Sequence, residues 1–585
     1  LKVSRTDKRG VAVAESSPET AQASGLSRAP VFVWWAIALI GVYLAAYWTY
    51  RPALNGQFVF DDLHMLFLDP NARILPLRVW WGVRPLLMTT YWANLHLSSS
   101  ITPFPYHAVN VFFHATAAIL LFFALRRILG WVFAKEPEAQ WKPTLFAAFG
   151  AAVFLLHPIQ TEAVSYIAQR GEDLGALFYF AAFCVFLYRK PGPISWLTTA
   201  AVIVLYGAAV TTKEHTVTLP ALLLLTDYFF NPGFSFEGIK RNWRLYLTIG
   251  VCAAIGVTFV LRLLKMDTTS VGFQLQSFDA FQYLYTEFRV FFAYIGLFLY
   301  PLAQTIDYDF SISRTIFDQG SIVALAAILA LVFLCIRYRR RFPLAAYGFF
   351  AFGTLLLPTS SIVPILDPIA DRRLYLPMIG LIFIAIEFLR RLRLSRISVT
   401  VLLTAICVLL ATVTYKRNQK WSNAVDLWED AAEKAPNKSR VQFGLAAHEF
   451  EEKRCRESIT HYLKAIALTK PDYQLYMNLG MAYNCDHQIV HAIEALNKSI
   501  ELKPTAESWA SIGMVQAQQG QINAALDALD KAQAINPRYA NTYDYRGGIF
   551  QGMGRTPEAI GQFERALALD PNDAIARQAL ETLRR

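Results

Sequence analysis

Charge is scarce in this 585-residue sequence: Asp, Glu, Lys and Arg make up 17% of it, against 55% hydrophobic and 14% aromatic residues. With a mean hydropathy of +0.32, that scarcity excludes an ordinary soluble globular protein and points to an integral membrane protein. The six cysteines, Cys184, Cys252, Cys335, Cys407, Cys455 and Cys485, show no CxxC spacing, and four lie in apolar runs. That pattern argues against a disulfide framework and against a zinc site. No glycine-rich nucleotide loop is present, so the chemistry is expected to proceed without a bound nucleotide. The formal charge of +11 does not call for nucleic acid, because Lys and Arg fall in short clusters between apolar runs, where membrane orientation accounts for them.

What the sequence does have is a succession of apolar runs. Residues 1–30 are polar, rich in Ser, Ala and charge, and read as a disordered cytoplasmic tail. Residues 31–50 carry no charge over 20 positions, about enough to cross ~30 Å of hydrocarbon, and read as an uncleaved first span. Lys2, Arg5, Lys8, Arg9 and Arg28 precede that span and hold the tail inside. Residues 51–105 then form a long outer loop with amphipathic surface helices. Further spans are expected at 106–125, 144–157, 173–188, 195–211, 216–230, 245–264, 320–336, 343–360, 374–389 and 397–415. The segment 287–302 has Glu287 and Arg289 at its start and Pro301 at its end. A full crossing there would put the basic clusters at 337–341 and 390–396 outside, so it reads as re-entrant or partly inserted. The expectation is a membrane domain over 31–415 with eleven full spans plus this partial one, followed by an outer domain at 416–585.

That last region turns soluble and repeats itself. Pro436, Pro471, Pro504, Pro537 and Pro571 recur at intervals of 35, 33, 33 and 34 residues. Gly480, Gly513 and Gly547 recur with Tyr476, Trp509 and Tyr543 four residues earlier, and Ala492, Ala525 and Ala559 follow the same period. Small residues let paired helices approach, aromatics fill between them, and proline ends each second helix. These are tetratricopeptide (TPR) repeats, about four, with an opening half-unit at 424–436 and a closing helix at 573–585. The fold class is therefore all-α, a polytopic helical membrane domain followed by a TPR α-solenoid, whose concave face is suited to an extended peptide.

With this topology the unusual polar residues of the membrane part share the outer face. They are Asp61, Asp62 and His64 in the stretch QFVFDDLHMLFLDPN; Arg84; His107, Asn110 and His114; His157, Glu162 and Arg170; Lys213, Glu214 and His215; and Asp371, Arg372 and Arg373. Ionisable groups at a membrane boundary are costly, so such a collection points to a site. Each has a plainer reading: Arg372 and Arg373 as interfacial anchors, His107 and His114 as packing residues, Glu214 as a partner of Lys213. The chemistry suggested is transfer from a phosphorylated lipid to an acceptor outside. A carboxylate of the acidic pair would take the proton of a hydroxyl acceptor, and Arg170, Lys213, Arg372 or Arg373 would neutralise the departing phosphate. The same pair could instead bind a divalent cation, Mg or Mn, through oxygen ligands.

Several stretches, in order, carry a family resemblance: the outer loop with FDD; VRPLLMTTYWANLHL followed by YHAVNVFFH; LLHPIQTEAVSYIAQRGEDLGALFYF; TKEHTVTLPALLLLTDYF; and SSIVPILDPIADRRLYLPMIG. In these the chain resembles the transmembrane-and-TPR O-mannosyltransferases of the GT-C glycosyltransferase superfamily. The resemblance implies a GT-C-type membrane domain using a polyprenyl-phosphate sugar, dolichyl-phosphate mannose or an undecaprenyl equivalent, to glycosylate Ser or Thr with inversion. It implies that the first-loop motif carries the catalytic aspartate, here Asp61 in preference to Asp62. It also places His157, Glu162, Arg170, Lys213, Glu214, Asp371 and Arg372 on motif positions. The donor phosphate would be held by Arg170, Lys213, Arg372, Arg373 and Arg84, with His64, His107, His157, Glu162, Glu214 and Asp371 as further site candidates, and a protein acceptor would lie on the repeats. The location expected is a bacterial inner membrane with the repeats in the periplasm, or otherwise the endoplasmic reticulum with the repeats in the lumen. Other readings are transfer to a glycolipid or polysaccharide, a non-enzymatic membrane scaffold, and a transporter.

Overall fold

A computed structural model describes residues 31–69, 71–134, 136, 140–266, 271–273, 275, 277–470 and 472–584; the expected tail at 1–30 lies outside them. Among these residues secondary structure is helical throughout, apart from one isolated bridge between Val271 and Ile365. Four helices are long and apolar enough to cross a membrane: Phe32–Ala53, Pro103–Val132, Asp318–Tyr338 and Arg396–Lys420. A fifth crossing is available if Lys142–Leu156 and Pro158–Ser165, bent by 48° at His157, count together. Shorter apolar helices, Trp196–Val210, Trp243–Gly256, Pro343–Leu356 and Met378–Leu389, coincide with four more of the expected spans.

Local chemistry sets the helix starts. Proline opens Pro85–Leu97, Pro103–Val132 and Pro343–Leu356, where its missing N–H costs nothing and its fixed φ already suits the helix. The Ser195 and Ser395 hydroxyls each accept the backbone N–H three residues on, at 3.1 Å, satisfying donors that the first turn leaves free. Asp279 does the same for Phe281 and Gln282 and so starts a continuous 20-residue helix, Ala280–Leu299. The segment expected over 287–302 therefore begins seven residues earlier and is a regular helix; the cap outweighs the charges of Glu287 and Arg289, which look like a boundary in the sequence.

The apolar faces identify the surrounding solvent. Ser321–Tyr338 buries only Ser321 and leaves Val323, Leu329 and Phe333 bare. Val31–Tyr50 exposes Phe32, Trp34, Ile37 and Ile40. Such continuous apolar faces are stable against lipid and not against water. The segment after the first span, by contrast, has a core of its own, with Phe67, Trp80, Leu87, Tyr91 and Leu95 packed on Tyr106 and Ile167.

At the other end four antiparallel helix pairs, from Ser439–Glu451 to Thr556–Leu569, stack between an opening helix Ala424–Lys434 and a closing helix Ala574–Leu583. The repeated glycines serve close approach: a Cβ on Gly480 or Gly513 would press into Leu496 or Leu529, and one on Gly547 into Phe563. Cys455 and Cys485, at facing ends of neighbouring helices, form a disulfide with Cα atoms 5.7 Å apart. The sequence argues against a disulfide framework, and this single bridge has no motif to announce it: its 30-residue separation becomes a contact only through the repeat pitch.

The solenoid is locked to the membrane domain. Helix Arg396–Lys420 runs directly to it, with the Asn418 amide donating to Thr49 O and accepting from the Ser165 hydroxyl. Asp307 is held between Lys438 and Arg440, Arg440 also reaches Asp367 at 2.8 Å, and Lys434 donates to Gln304 O. A Cβ on Gly56 would collide with Trp421 O, so the first loop crosses the domain junction where only glycine fits.

Candidate active site

The centre of the site is the break between Leu156 and Arg170. Proline at 158 cannot continue the preceding helix, and His157 stabilises the break: its Nδ1 accepts from Ile159 N at 3.2 Å and its Nε2 faces Phe298 O at 3.0 Å. His157 is thus a buried structural residue. From there two short turns and the five-residue helix Thr161–Ser165 carry Glu162 and Tyr166 under the first outer loop before Arg170–Leu187 begins.

The two aspartates have different fates. Asp62 is fully buried; its Oδ2 accepts from Val59 N at 3.1 Å and its Oδ1 from Ala168 N at 2.7 Å. It ties the acidic turn to the 157–170 segment, with both oxygens committed to backbone donors inside the fold. Burial, only partly offset by those two N–H donors and increased by Asp61, pushes its carboxyl up to about 7. Asp61 is exposed, and its backbone N–H donates to the Tyr166 hydroxyl at 2.8 Å. Burial and then the Asp61 charge raise the Tyr166 phenol, keeping it a proton donor beside that carboxylate. Between them stands Phe60, with φ at 51° and its ring against Tyr166 and Trp428.

Three cations gather around Glu172, each with a carboxylate partner. Arg372 donates from both backbone N, at 3.0 Å, and Nη1 to Glu162, leaving Nε and Nη2 without partners among the described residues. Burial works against its charge, but Glu162, then Glu172 and Tyr166, outweigh it and raise the guanidinium above its ordinary value. Lys213 bridges Glu172 at 2.9 Å and Gln169 at 3.3 Å. Arg84 makes a bidentate pair with Glu214, both bonds at 2.8 Å; burial raises the Glu214 carboxyl, but Arg84 and Lys213 more than reverse this and hold it low. His215 lies 3.4 Å from Glu172, and burial holds its imidazole below the ordinary range.

Other expected residues turn out to be architectural. Arg170 has no solvent exposure; it donates to Asn110 Oδ1 at 2.7 Å, Tyr106 O at 3.0 Å and Thr90 at 3.3 Å, and lies 4.2 Å over the Tyr91 ring. Enclosed, with each of its three nitrogens bonded inside the fold, it presents no exposed donor to a lipid phosphate. Arg373 donates to Pro368 O at 2.7 Å and lies among Tyr283, Tyr294 and Glu287. Asp371 is buried and accepts from the Tyr308 hydroxyl; burial and then Glu162 raise its carboxyl. His107 is enclosed, and the His114 ring sits between Tyr375 and Leu155 O. His64 is exposed on the acidic turn.

Two residues of the site do not stand out from sequence: Tyr166 and Glu172. Glu172 and Asp173 carry a usable signal, two carboxylates in the first turn of an otherwise apolar run, where ionisable groups tend to mark function. Among the described residues no group of three or more His, Cys, Asp or Glu side chains is gathered to hold a metal ion, and no step is assigned to one.

Within the solenoid, residues 506–539 match the tetratricopeptide repeat family model. Over longer spans the chain is 24% identical to Protein O-mannosyl-transferase F38B6.6 of Caenorhabditis elegans, covering 73% of this chain and 61% of that protein. It is 23% identical to Protein O-mannosyl-transferase TMTC3 of Homo sapiens, covering 92% and 64%. The chain thus spans a little over three fifths of the length of these relatives. Among solved structures, TTC0263, a thermophilic TPR protein in Thermus thermophilus, overlaps 30% of this chain and 93% of its own at 21% identity and a TM-score of 0.26. In its repeats and in sequence over most of its length, the chain resembles the transmembrane-and-TPR protein O-mannosyltransferases.

Proposed function

We propose that the chain is an inverting glycosyltransferase that moves mannose from a polyprenyl-phosphate carrier to Ser or Thr hydroxyls of proteins on the outer side of the membrane, with eleven crossings and one partly inserted helix. The observation that carries this reading is the division of the acidic pair: one carboxylate pinned inside the fold, its neighbour exposed on the same turn and tied through its backbone N–H to Tyr166, on the segment whose Glu162 pairs Arg372.

Asp61 takes the proton of the acceptor hydroxyl, which is a weak nucleophile until that proton leaves. The hydroxyl oxygen forms a bond to the sugar C1 from the face opposite the phosphate, the C1–O bond to phosphate breaks, and the lipid phosphate departs with the electron pair. Arg372, with two donor positions uncommitted, receives that charge; Lys213 and Arg84 add to the field, and Glu162, Glu172 and Glu214 hold the three cations in place. The relatives named for protein O-mannosyl transfer support mannose and a protein acceptor. The disulfide between Cys455 and Cys485 supports an oxidising compartment for the solenoid, the periplasm or the lumen of the endoplasmic reticulum.

The test is turnover by the purified protein in detergent, with radiolabelled polyprenyl-phosphate mannose and a Ser/Thr-rich acceptor peptide. Label on the peptide supports the reading. Donor consumed only with a glycolipid or glycan acceptor would move the acceptor class, and no donor binding would return the chain to a scaffold.

A further inference from the structure

The closing repeats form a groove of about 930 Å³ lined in part by Met514, Asn541, Tyr545, Asp544, Asp570 and Asp573. The three carboxylates come from different elements: Asp544 from helix Ala540–Gly552, Asp570 from the end of Thr556–Leu569, and Asp573 from the cap of Ala574–Leu583. Asp570 and Asp573 each use one oxygen locally, accepting from Asn572 N and Ala576 N at 2.9 Å. Asp544 is only 6% exposed; its Oδ1 receives no donor from another side chain or backbone N–H among the described residues, and its carboxyl shares a hydrogen bond with that of Asp573. Burying an ionisable oxygen without a donor is costly, and two like charges beside it add to that cost. Burial, then Asp573 and Asp570, push Asp544 up to about 8. What the groove lacks is a cation with several donors.

We propose that this groove holds the guanidinium of an arginine in an extended segment of a partner protein. A guanidinium presents five donors in one plane and can bridge carboxylates from different helices, which a lysine ammonium does as a single point. The Met514 and Tyr545 side chains offer an apolar wall to the arginine's methylene stem. A metal ion is the poorer occupant, since no three carboxylates are gathered in ligating geometry among the described residues. The inference deepens the reading of the solenoid as the surface that holds acceptor protein and rests on it for its purpose, but its test needs binding alone.

Full-length protein in detergent is titrated into the labelled peptide Gly-Ser-Ala-Arg-Ala-Ser-Gly and into its counterpart with citrulline in place of arginine, and fluorescence anisotropy is read. The arginine peptide should bind at least about tenfold more tightly, as expected for charge-assisted bonds. Asp544→Asn should bring the two affinities together, and Asp570→Asn, at an exposed position, should narrow the gap. Thermal unfolding keeps the test open to failure: Asp544→Asn should raise the midpoint, because its amide donates to Asp573 where the buried carboxyl has to hold a proton beside two carboxylates. Equal affinities for the two wild-type titrations, no binding of either peptide at millimolar concentration, an undiminished preference in Asp544→Asn, or a lowered midpoint in that variant would each overturn the proposal. Transfer to a peptide without arginine is unaffected by these outcomes, so failure here and failure of the transferase reading remain separate.

Discussion

At the scale of the residue, Asp62 shows what burial does to a carboxylate that catalysis does not use. Its folded-state carboxyl is raised to about 7, so the folded chain binds a proton that the unfolded chain releases near pH 4. Its contribution to stability is therefore full below about pH 4 and is lost as pH rises toward and through about 7. Asp62→Asn keeps an acceptor for Val59 N or Ala168 N without the charge and should flatten that loss. We expect the variant to exceed wild type by about 2–4 kcal/mol at pH 8 and to match it near pH 4, read from thermal unfolding across pH; a parallel decline in both would contradict the assignment. Arg372 belongs to the same scale. Arg372→Ala removes the cation with uncommitted donors and should lower kcat/KM for the donor by about 10–100-fold, measured by steady-state transfer with acceptor in excess.

At the scale of the element, the acidic turn depends on its neighbours. A bulky residue at φ 51° costs about 1–3 kcal/mol and persists only where surrounding structure over-determines it. Here Tyr166 and Trp428 enclose the Phe60 ring at 5.5 and 5.1 Å. Trp428 belongs to the first solenoid helix, so the solenoid braces the turn that carries Asp61. Trp428→Ala should reduce kcat by about tenfold or more through misplacement of that turn while leaving donor binding intact, checked by transfer kinetics beside a donor-binding titration. This scale also separates what can be read in sequence from what cannot. The repeats are legible because aromatic, glycine, alanine and proline recur at one period, each for a packing reason. The acidic pair is legible as chemistry, but its division is not: Ala168 N, which captures Asp62, stands 106 residues away. Arg170 reads as a phosphate ligand because a charge in an apolar run usually marks function; its actual partners, Asn110, Tyr106 and Thr90, lie 60 to 80 residues earlier.

At the scale of the molecule, the solenoid is clamped to the membrane domain through Asp307, Asp367, Lys438 and Arg440 and through the continuous helix ending at Lys420. Its internal disulfide closes a loop of 30 residues. Replacing both cysteines by serine should cost about 2–4 kcal/mol in the repeats, seen as an earlier unfolding transition that reductant also produces in wild type. The proposed function assigns Asp61 as the base and Asp62 as its structural neighbour. The decisive comparison is transfer from radiolabelled polyprenyl-phosphate mannose to a Ser/Thr-rich peptide by wild type, Asp61→Asn and Asp62→Asn, each with an unfolding midpoint. Asp61→Asn should lose about 10²–10⁴ in kcat with an unchanged midpoint, and Asp62→Asn should keep substantial turnover. Wild-type turnover in Asp61→Asn would contradict the assignment of the base.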